Sequence, residues 1–335
     1  MRLTPLRLAG VLAGLLLTAA IALYLVPSDD YLLLPDEAHL VAPIVKVQGG
    51  HDPTDTGGIY YVDVFERRAS MFESLFPWIH KGSTLVPARL IVPPGVSDKA
   101  VQQADLRAMT ISQKVAAAVA LRRLGYTVVA KPSGVIVAAL DERSHAVGKL
   151  RPGDMIVSVN GAPTPTIAAL RAQLSQAKPG DTVQLGLKRG TESLSISVRT
   201  IVDATNKKRA IVGFAPEQAA EIKLPLKVEI DAGNVGGPSA GLAFALEVME
   251  ELGQDVDHGY RVAATGALEL NGSVTPIGGV KQKTFGARDA KADVFLVPAG
   301  DNAREARRYA HGLRVIAVKT FPQALRALAT LPRKG

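Results

Sequence analysis

The chain carries the run Asn-Val-Gly-Gly-Pro-Ser-Ala-Gly at residues 234–241 and, further along, the run Pro-Ile-Gly-Gly-Val-Lys-Gln-Lys at residues 276–283. In the first run, Pro238 lacks a backbone N–H, which suits the first turn of a helix, and a mostly apolar stretch follows. The first run therefore predicts a buried helix that begins beside the Ser239 hydroxyl. In the second run, a double glycine predicts a tight turn that leads to two lysine amines.

A hydroxyl and an amine placed in this way can act together as nucleophile and base. A serine hydroxyl is a weak nucleophile at neutral pH and needs a neighbouring group that takes its proton. A lysine amine does this only when it is neutral, and burial lowers its pKa from about 10.4 toward the working pH. Ile277 and Val280 make the surroundings of Lys283 apolar. The backbone N–H groups of Ser239 and Ala240, at a helix start, are the candidate donors to an oxyanion.

Each run taken alone also has a purely structural explanation. Serine is a good helix N-cap, and glycine and proline are common in turns. Lysines near a helix start are commonly solvated. The presence of both runs in one segment, with strand-like residues between them, favours a serine-lysine hydrolase.

Residues 224–297 resemble the proteolytic domain of the Lon-type serine peptidases. The motifs that carry the resemblance are Gly-Pro-Ser-Ala-Gly at 237–241, Thr-Gly at 265–266, and Pro-Ile-Gly-Gly at 276–279 leading to a lysine. The resemblance implies that Ser239 is the nucleophile, that Lys283 is the base, and that Thr265 orients the lysine amine. Lys281 matches a family position that is not the base, so we expect it to be structural or solvated.

Two departures from the Lon pattern bear on function. Many Lon proteases carry an acidic residue three positions before the serine, where this chain has Gly236. The resemblance therefore does not imply that an acidic side chain at this position controls access to Ser239. The chain also lacks a Gly-x-x-x-x-Gly-Lys-Ser/Thr phosphate loop. Gly148 and Lys149 could supply its Gly-Lys pair, but the first glycine would then have to be residue 143, which is an arginine. The sequence therefore predicts no ATP-driven unfolding within this chain and no cofactor.

Residues 126–202 are predicted to form a unit of short strands, tight turns and a helix at 166–176. The run Leu-Arg-Pro-Gly-Asp-Met-Ile-Val-Ser-Val-Asn-Gly at 150–161 resembles the PDZ domains of bacterial proteases. Such domains bind extended peptide termini by adding a strand to a sheet edge. The resemblance implies a groove between the helix and a strand, with the peptide-binding residues Ser133, Gly134, Val135 and Ile136.

The N-terminal residues predict a membrane anchor. Residues 8–26 form a stretch of 19 residues without a charge. A helix of that length spans about 28 Å, close to the thickness of about 30 Å of a bilayer's hydrocarbon core. Arginines precede the stretch and aspartates follow it, at Arg2, Arg7, Asp29 and Asp30. The positive-inside rule then places the N-terminus in the cytoplasm and the catalytic part outside. A cleaved signal peptide is the rival interpretation, but its apolar core is only about 7 to 15 residues long.

Composition limits the other function classes. The chain has 335 residues and no cysteine, which excludes disulfides, thiolate nucleophiles and cysteine metal sites. A net charge of +8 without basic and aromatic side chains interleaved does not indicate nucleic acid binding. The histidines lack ligand spacing, so we expect neither a metal site nor a Ser-His-Asp protease; they are His39, His51, His80, His145, His258 and His311.

Together these patterns predict an α+β protein with a single transmembrane helix at 8–26, a PDZ domain at 126–202 and a Lon-type proteolytic domain at 205–332. The αβ region at 38–125 is expected to supply the first part of the peptidase fold, with the PDZ domain inserted into it or preceding it. The expected function is an ATP-independent serine endopeptidase of protein or peptide substrates. Self-assembly is an expectation from Lon relatives. The alternative is a non-catalytic, membrane-anchored adaptor that binds peptides through its PDZ domain.

Overall fold

A computed structural model describes residues 5–51, 57–92, 97–141, 143–203, 206–207 and 209–334, with side chains from residue 9 onward. Arg2 and the side chain of Arg7, used above to orient the anchor, lie outside the described residues. The α-helices are α1 (Pro5–Leu25), α2 (Met71–Leu75), α3 (Ala88–Ile91), α4 (Asp98–Arg123), α5 (Ile167–Leu174), α6 (Gly241–Glu251), α7 (Val280–Asp289), α8 (Asp301–Tyr309) and α9 (Phe321–Ala329).

The strands follow the same chain order. They are β1 (Pro27–Pro35), β2 (His39–Leu40), β3 (Val45–Val47), β4 (Gly58–Tyr61), β5 (Val64–Ser70), β6 (Thr84–Pro87), β7 (Val129–Leu140), β8 (Met155–Val159), β9 (Ala162–Pro163), β10 (Thr182–Arg189), β11 (Glu192–Arg199), β12 (Ile201–Val202), β13 (Ala210–Ile211), β14 (Phe214–Lys223), β15 (Val228–Ile230), β16 (Arg261–Ala264), β17 (Ala267–Leu268), β18 (Val274–Thr275), β19 (Val294–Pro298) and β20 (Arg314–Val318).

Helix α1 covers most of the stretch predicted to be a membrane anchor. Across the ranges that the structure describes, we find no helix whose length and apolar character suffice for crossing a membrane. The transmembrane helix predicted at 8–26 is therefore not supported by the structure.

A five-stranded sheet in the order β2-β4-β16-β19-β20 forms the centre of the larger unit. β4, β16, β19 and β20 run parallel to one another, and β2 pairs antiparallel with β4. β19 is buried along its whole length, as expected for a parallel strand covered on both faces. β4 precedes the unit at 126–202 in the chain and β16 follows it, so this sheet joins segments from both sides of that unit.

Helix α6 fills the core on one face of this sheet. Leu242, Phe244 and Leu246 are fully buried, and α4 packs against α6 through side chains that include Val115 and Val119. A second pairing links the same two parts of the chain, because β3 pairs antiparallel with β15. A smaller sheet of β5, β1 and β6 lies beside α7.

The other large sheet has the order β11-β10-β8-β7-β14, with β9 paired to β8. Its core includes Val135, Leu150, Ile156 and Leu185, and α5 packs on it through buried leucines. The predicted hairpin signal at 160–161 is seen as two consecutive residues with positive φ between β8 and β9. β14 was not expected here, because it lies outside the residues 126–202 assigned to this unit from the sequence.

Candidate active site

Ser239 lies in a turn that immediately precedes α6. Helix α4 holds this turn from one side, since the Ser112 hydroxyl donates to the Pro238 carbonyl at 3.0 Å and the Gly237 N–H donates to the Asp105 carbonyl at 2.9 Å. On the other side, the Gly266 N–H donates to the Ser239 carbonyl at 2.8 Å. The backbone of the serine is therefore fixed by two distant segments.

Lys283 lies in the first turns of α7, which the double-glycine run introduces. The helix begins after Gly279, whose φ of 67° lies in the left-handed region that favours glycine. A Cβ at Gly279 would lie 2.6 Å from Val64 Cγ2, so this position also needs glycine for close packing. The Asn302 side chain fixes the preceding turn, because it accepts from the Ile277 N–H at 2.8 Å and donates to the Ile277 carbonyl at 2.9 Å.

These elements bring the three predicted residues together. The Lys283 Nζ lies 2.6 Å from the Ser239 Oγ and 3.5 Å from the Thr265 Oγ1. The Thr265 hydroxyl donates to the Ser239 carbonyl at 3.2 Å, so its lone pairs remain able to accept from the amine. Lys283 is 4% exposed and Thr265 is fully buried. The buried amine is thus held beside the hydroxyl.

Burial changes the acidity of the amine. Desolvation lowers the pKa of Lys283 to about 8, while the carboxylates of Asp63 and Glu66 act in the opposite direction by favouring the ammonium. Burial also raises the pKa of Asp63, and the neighbouring Asp36 adds to that effect. A substantial share of Lys283 is therefore neutral slightly above physiological pH, as a general base requires.

The proposed oxyanion donors lie just before the helix rather than inside it. α6 begins at Gly241, with Ala240 as its N-cap residue. Among the residues that the structure describes, no backbone carbonyl accepts a hydrogen bond from the N–H of Ser239 or of Ala240. Neither group is used by the backbone of the helix, and their role as oxyanion donors stays a prediction.

Lys281 is held away from the serine. Its Nζ donates to the Ser83 carbonyl at 2.6 Å and lies 5.7 Å from the centre of the Tyr309 ring. Its neighbour Gln282 donates to the Gly82 carbonyl and to the Thr84 hydroxyl, both at 2.9 Å. These bonds anchor the start of α7 to the loop before β6.

Several residues that support the site were missed by the sequence analysis. They come from segments without a motif, and they are Asp63, Glu66, Ser112 and Asn302. The sequence of the 38–125 region predicts only strands and a helix. Each of these residues acts through a contact with a segment far away in sequence, and no local pattern signals such a contact.

Within the part of the chain that the structure describes, two groups of side chains have ligand atoms within 4.8 Å of one another and could hold a cation: Asp36, His39 and Asp63, and Glu250, Asp255 and Asp257. In the second group, Glu250 accepts from the backbone N–H groups of Val256 and Asp257. Asp255 pairs with Arg333 at 2.9 Å. These carboxylates already have protein partners, and the expectation of no metal site stays a prediction.

The strand edge predicted to bind peptides is paired within the chain. β7 contains Ser133, Gly134, Val135 and Ile136, and β14 runs antiparallel beside it, with Gly134 opposite Ala219 and Ile136 opposite Glu217. Consecutive residues Ala219 and Ala220 of β14 lie opposite Gly134 and Pro132, so Ser133 is an extra residue of β7 without an opposite residue. β7 as a whole contacts α5, and peptide binding by these four residues stays a prediction.

Two family models match parts of the chain. Residues 122–200 match the model of the PDZ domain, and residues 184–329 match that of the Lon protease (S16) C-terminal proteolytic domain. Residues 184–200, which the two matches share, contain most of β10 and all of β11 of the smaller unit.

Lon proteases are among the curated proteins that are similar to this chain. Lon protease 2 of Bacillus subtilis is 35% identical over 98 residues, which cover 29% of this chain and 17% of the relative. Lon protease of Chloroflexus aggregans is 31% identical over 146 residues, which cover 42% of this chain and 18% of the relative. The chain therefore spans less than a fifth of the length of these relatives.

Solved structures of PDZ domains are similar to about a quarter of the chain. The PDZ domain of the SdrC-like protein from Listeria monocytogenes is 21% identical, with a TM-score of 0.23, and the match covers 25% of this chain and 87% of that one. The corresponding Listeria innocua domain is 24% identical with a TM-score of 0.24, and that match covers 26% of this chain and 96% of that one. By its two family matches, the chain combines a PDZ domain with a Lon-type C-terminal proteolytic domain.

Proposed function

We propose that this protein is a serine endopeptidase in which Ser239 is the nucleophile and Lys283 is the general base. The observation that carries the proposal is the 2.6 Å approach of the buried Lys283 amine to the Ser239 hydroxyl. The lowered pKa of about 8 supports it, because a lysine acts as a base only in its neutral form.

The reaction follows from this placement. Neutral Lys283 takes the proton of the Ser239 hydroxyl while the Oγ attacks the carbonyl carbon of the scissile peptide bond. The resulting oxyanion accepts from the N–H groups of Ser239 and Ala240. The Lys283 ammonium then gives its proton to the leaving amine, and an acyl ester with Ser239 remains. Water, deprotonated by Lys283, hydrolyses the ester, and Thr265 keeps the amine in position throughout.

The substrates proposed are flexible or partly unfolded protein chains. The sequence has no phosphate loop, so this chain has no means of its own to unfold a substrate with ATP. Capture of a substrate terminus by the PDZ domain would raise its local concentration near Ser239. Membrane attachment through residues 8–26, a catalytic part outside the cytoplasm and self-assembly remain proposals from the sequence, and extraction of the native protein with carbonate tests the first.

Casein hydrolysis by the full-length chain tests the proposed function. We expect measurable turnover without ATP and a loss of about 100-fold or more in Ser239→Ala and in Lys283→Met. Turnover should also rise with pH as Lys283 loses its proton. Equal turnover by all three proteins would eliminate the dyad. A wild-type protein that binds peptides but cleaves no unfolded substrate would favour the adaptor alternative.

A further inference from the structure

The edge of the PDZ sheet that faces α5 is occupied by a strand of the same chain. β14 pairs antiparallel with β7 from Phe214 opposite Leu140 to Lys223 opposite Val129. Each backbone edge can form only one ladder of hydrogen bonds, so an added strand and β14 cannot share it. In this conformation the edge is closed to another peptide.

A side chain of β14 also bridges the groove between β7 and α5. The Gln218 Oε1 accepts from the backbone N–H of Ile167, the first residue of α5, at 3.2 Å. The Gln218 Nε2 donates to the Gly134 carbonyl at 3.0 Å and to the Pro165 carbonyl at 2.8 Å. One amide thus contacts both walls, as a bound ligand would.

The two ends of β14 belong to different cores. Phe214 packs against the core of the PDZ domain, and Ile222 packs against the core of the proteolytic domain. The chain then continues through Leu226 to β15, whose Val228 and Ile230 also pack on that second core, and from there to the turn that holds Ser239. Movement of β14 therefore acts on the segment that leads to the nucleophile.

We propose that β14 is an internal ligand of the PDZ groove, and that an external peptide binds there only after β14 leaves the edge. A tethered strand competes at an effective concentration of roughly millimolar. The apparent affinity for an external peptide is therefore the intrinsic affinity multiplied by the fraction of molecules in which β14 has left the edge. Release of β14 also loosens the connection to Ser239, so occupancy of the groove alters proteolysis. That second consequence rests on the proposed peptidase function, whereas the first does not.

A reversible crosslink tests the internal ligand. Ala139 and Ala215 are exposed and lie opposite each other on β7 and β14, so Ala139→Cys with Ala215→Cys places two thiols at cross-strand distance. The natural chain has no cysteine, so these are its only thiols. A matched control is Gln184→Cys with Ser197→Cys, an exposed pair that joins β10 to β11 away from the groove.

The probe is a fluorescein-labelled peptide with the sequence of residues 212–219 and a free C-terminus, and its binding to the full-length chain is measured by anisotropy. We call the variant with Ala139→Cys and Ala215→Cys the lock. We expect the oxidised lock to bind the peptide at least about tenfold more weakly than its reduced form does. The oxidised control should bind the peptide as its reduced form does. Gln218→Ala should bind more tightly than the natural chain, because β14 loses its bridge to α5. This variant has no engineered thiol and tests the proposal even if the lock fails to fold.

Equal binding by the locked and reduced forms would overturn the proposal, and so would weaker or absent binding by Gln218→Ala. Casein turnover by the lock, before and after reduction, tests the coupling to proteolysis. A lock that changes peptide binding but not turnover refutes that coupling and leaves the internal ligand established. Failure of Ser239 as nucleophile would leave the anisotropy result unchanged, so the two proposals are tested separately.

Discussion

At the scale of one residue, the burial that makes Lys283 a usable base also destabilises the folded state. The Lys283 amine is almost entirely removed from water, which lowers its pKa to about 8 and makes it a usable base. The same burial penalises the folded state wherever the amine is charged. Thr265 and the Ser239 hydroxyl give it hydrogen bonds, but the carboxylates that favour its ammonium form, Asp63 and Glu66, do not bring its pKa back to 10.5.

Replacing this lysine should therefore stabilise the fold while it removes activity. Below the folded-state pKa of about 8, Lys283 is charged in both states, so the fold bears the full cost of the buried ammonium. We expect Lys283→Met to raise the free energy of unfolding by about 1–3 kcal/mol at pH 6, measured with urea. The gain should shrink as pH rises from about 8 to 10.5, because the natural amine becomes neutral in the folded protein first.

Lys281→Met is the matched control for this measurement. Lys281 is only partly buried and donates to the Ser83 carbonyl, so its loss should not stabilise the protein. A Lys283→Met variant that is less stable than the natural chain at pH 6 would show that the amine does not carry a desolvation cost.

The pH at which casein turnover rises should depend on the charge of Asp63. The Asp63 carboxylate favours the ammonium form of Lys283 and raises its pKa, so a neutral amide at this position lowers it. We expect Asp63→Asn to move the rising limb of casein turnover to lower pH by about one unit or less. The exposed Glu192 in β11 provides the control, since Glu192→Gln should leave the limb in place. A shift toward higher pH would contradict the assignment of Lys283 as the base.

At the scale of elements, the double-glycine turn decides where α7 starts and so where Lys283 lies. An alanine at Gly279 needs a left-handed backbone, which costs about 1–2 kcal/mol, and it also meets Val64 at 2.6 Å. We expect Gly279→Ala to lower the free energy of unfolding by about 2–4 kcal/mol and to reduce turnover, because α7 must shift.

The variant Gly190→Ala separates the backbone cost of Gly279→Ala from the cost of its contact with Val64. Gly190 has a similar φ of 62°, but a Cβ there has no neighbouring atom within 4 Å. Gly190→Ala should therefore show the backbone cost alone, with turnover unchanged. Equal losses of stability in the two variants would mean that the contact with Val64 is relieved without cost.

The elements also show what the sequence can reveal. Ser239, Lys283 and Thr265 were found because each lies in a short motif, and the hairpin at 160–161 because Asn-Gly has a specific turn chemistry. β14 gave no comparable signal, since its sequence does not alternate between apolar and polar residues and it contains Pro216, which falls at a shift of register. Its place in the PDZ sheet depends on a partner strand far away in the chain.

At the scale of the whole molecule, the PDZ domain lies between two segments that share one sheet and one core. β4 and α4 come before it, while β16 and α6 come after it, and the register of β4 with β16 runs from Gly58 opposite Arg261 to Tyr61 opposite Ala264. Two strands of the PDZ sheet, β7 and β14, are the connections to those segments. The two units are thus joined at both ends of the insertion, which explains how one strand contributes to both.

This arrangement predicts that residues 205–332, the proteolytic domain as drawn from sequence, do not fold alone. Such a fragment lacks β4, which pairs with β16, and it lacks α4, whose Val115 and Val119 cover α6. The apolar face of α6 would then be exposed to water, at about 25 cal/mol for each Å² uncovered. We expect the fragment to show no cooperative thermal transition by circular dichroism, whereas the same residues co-expressed with 27–125 should regain one. A cooperative transition in the fragment alone would show that the segment before the PDZ domain is dispensable for the fold.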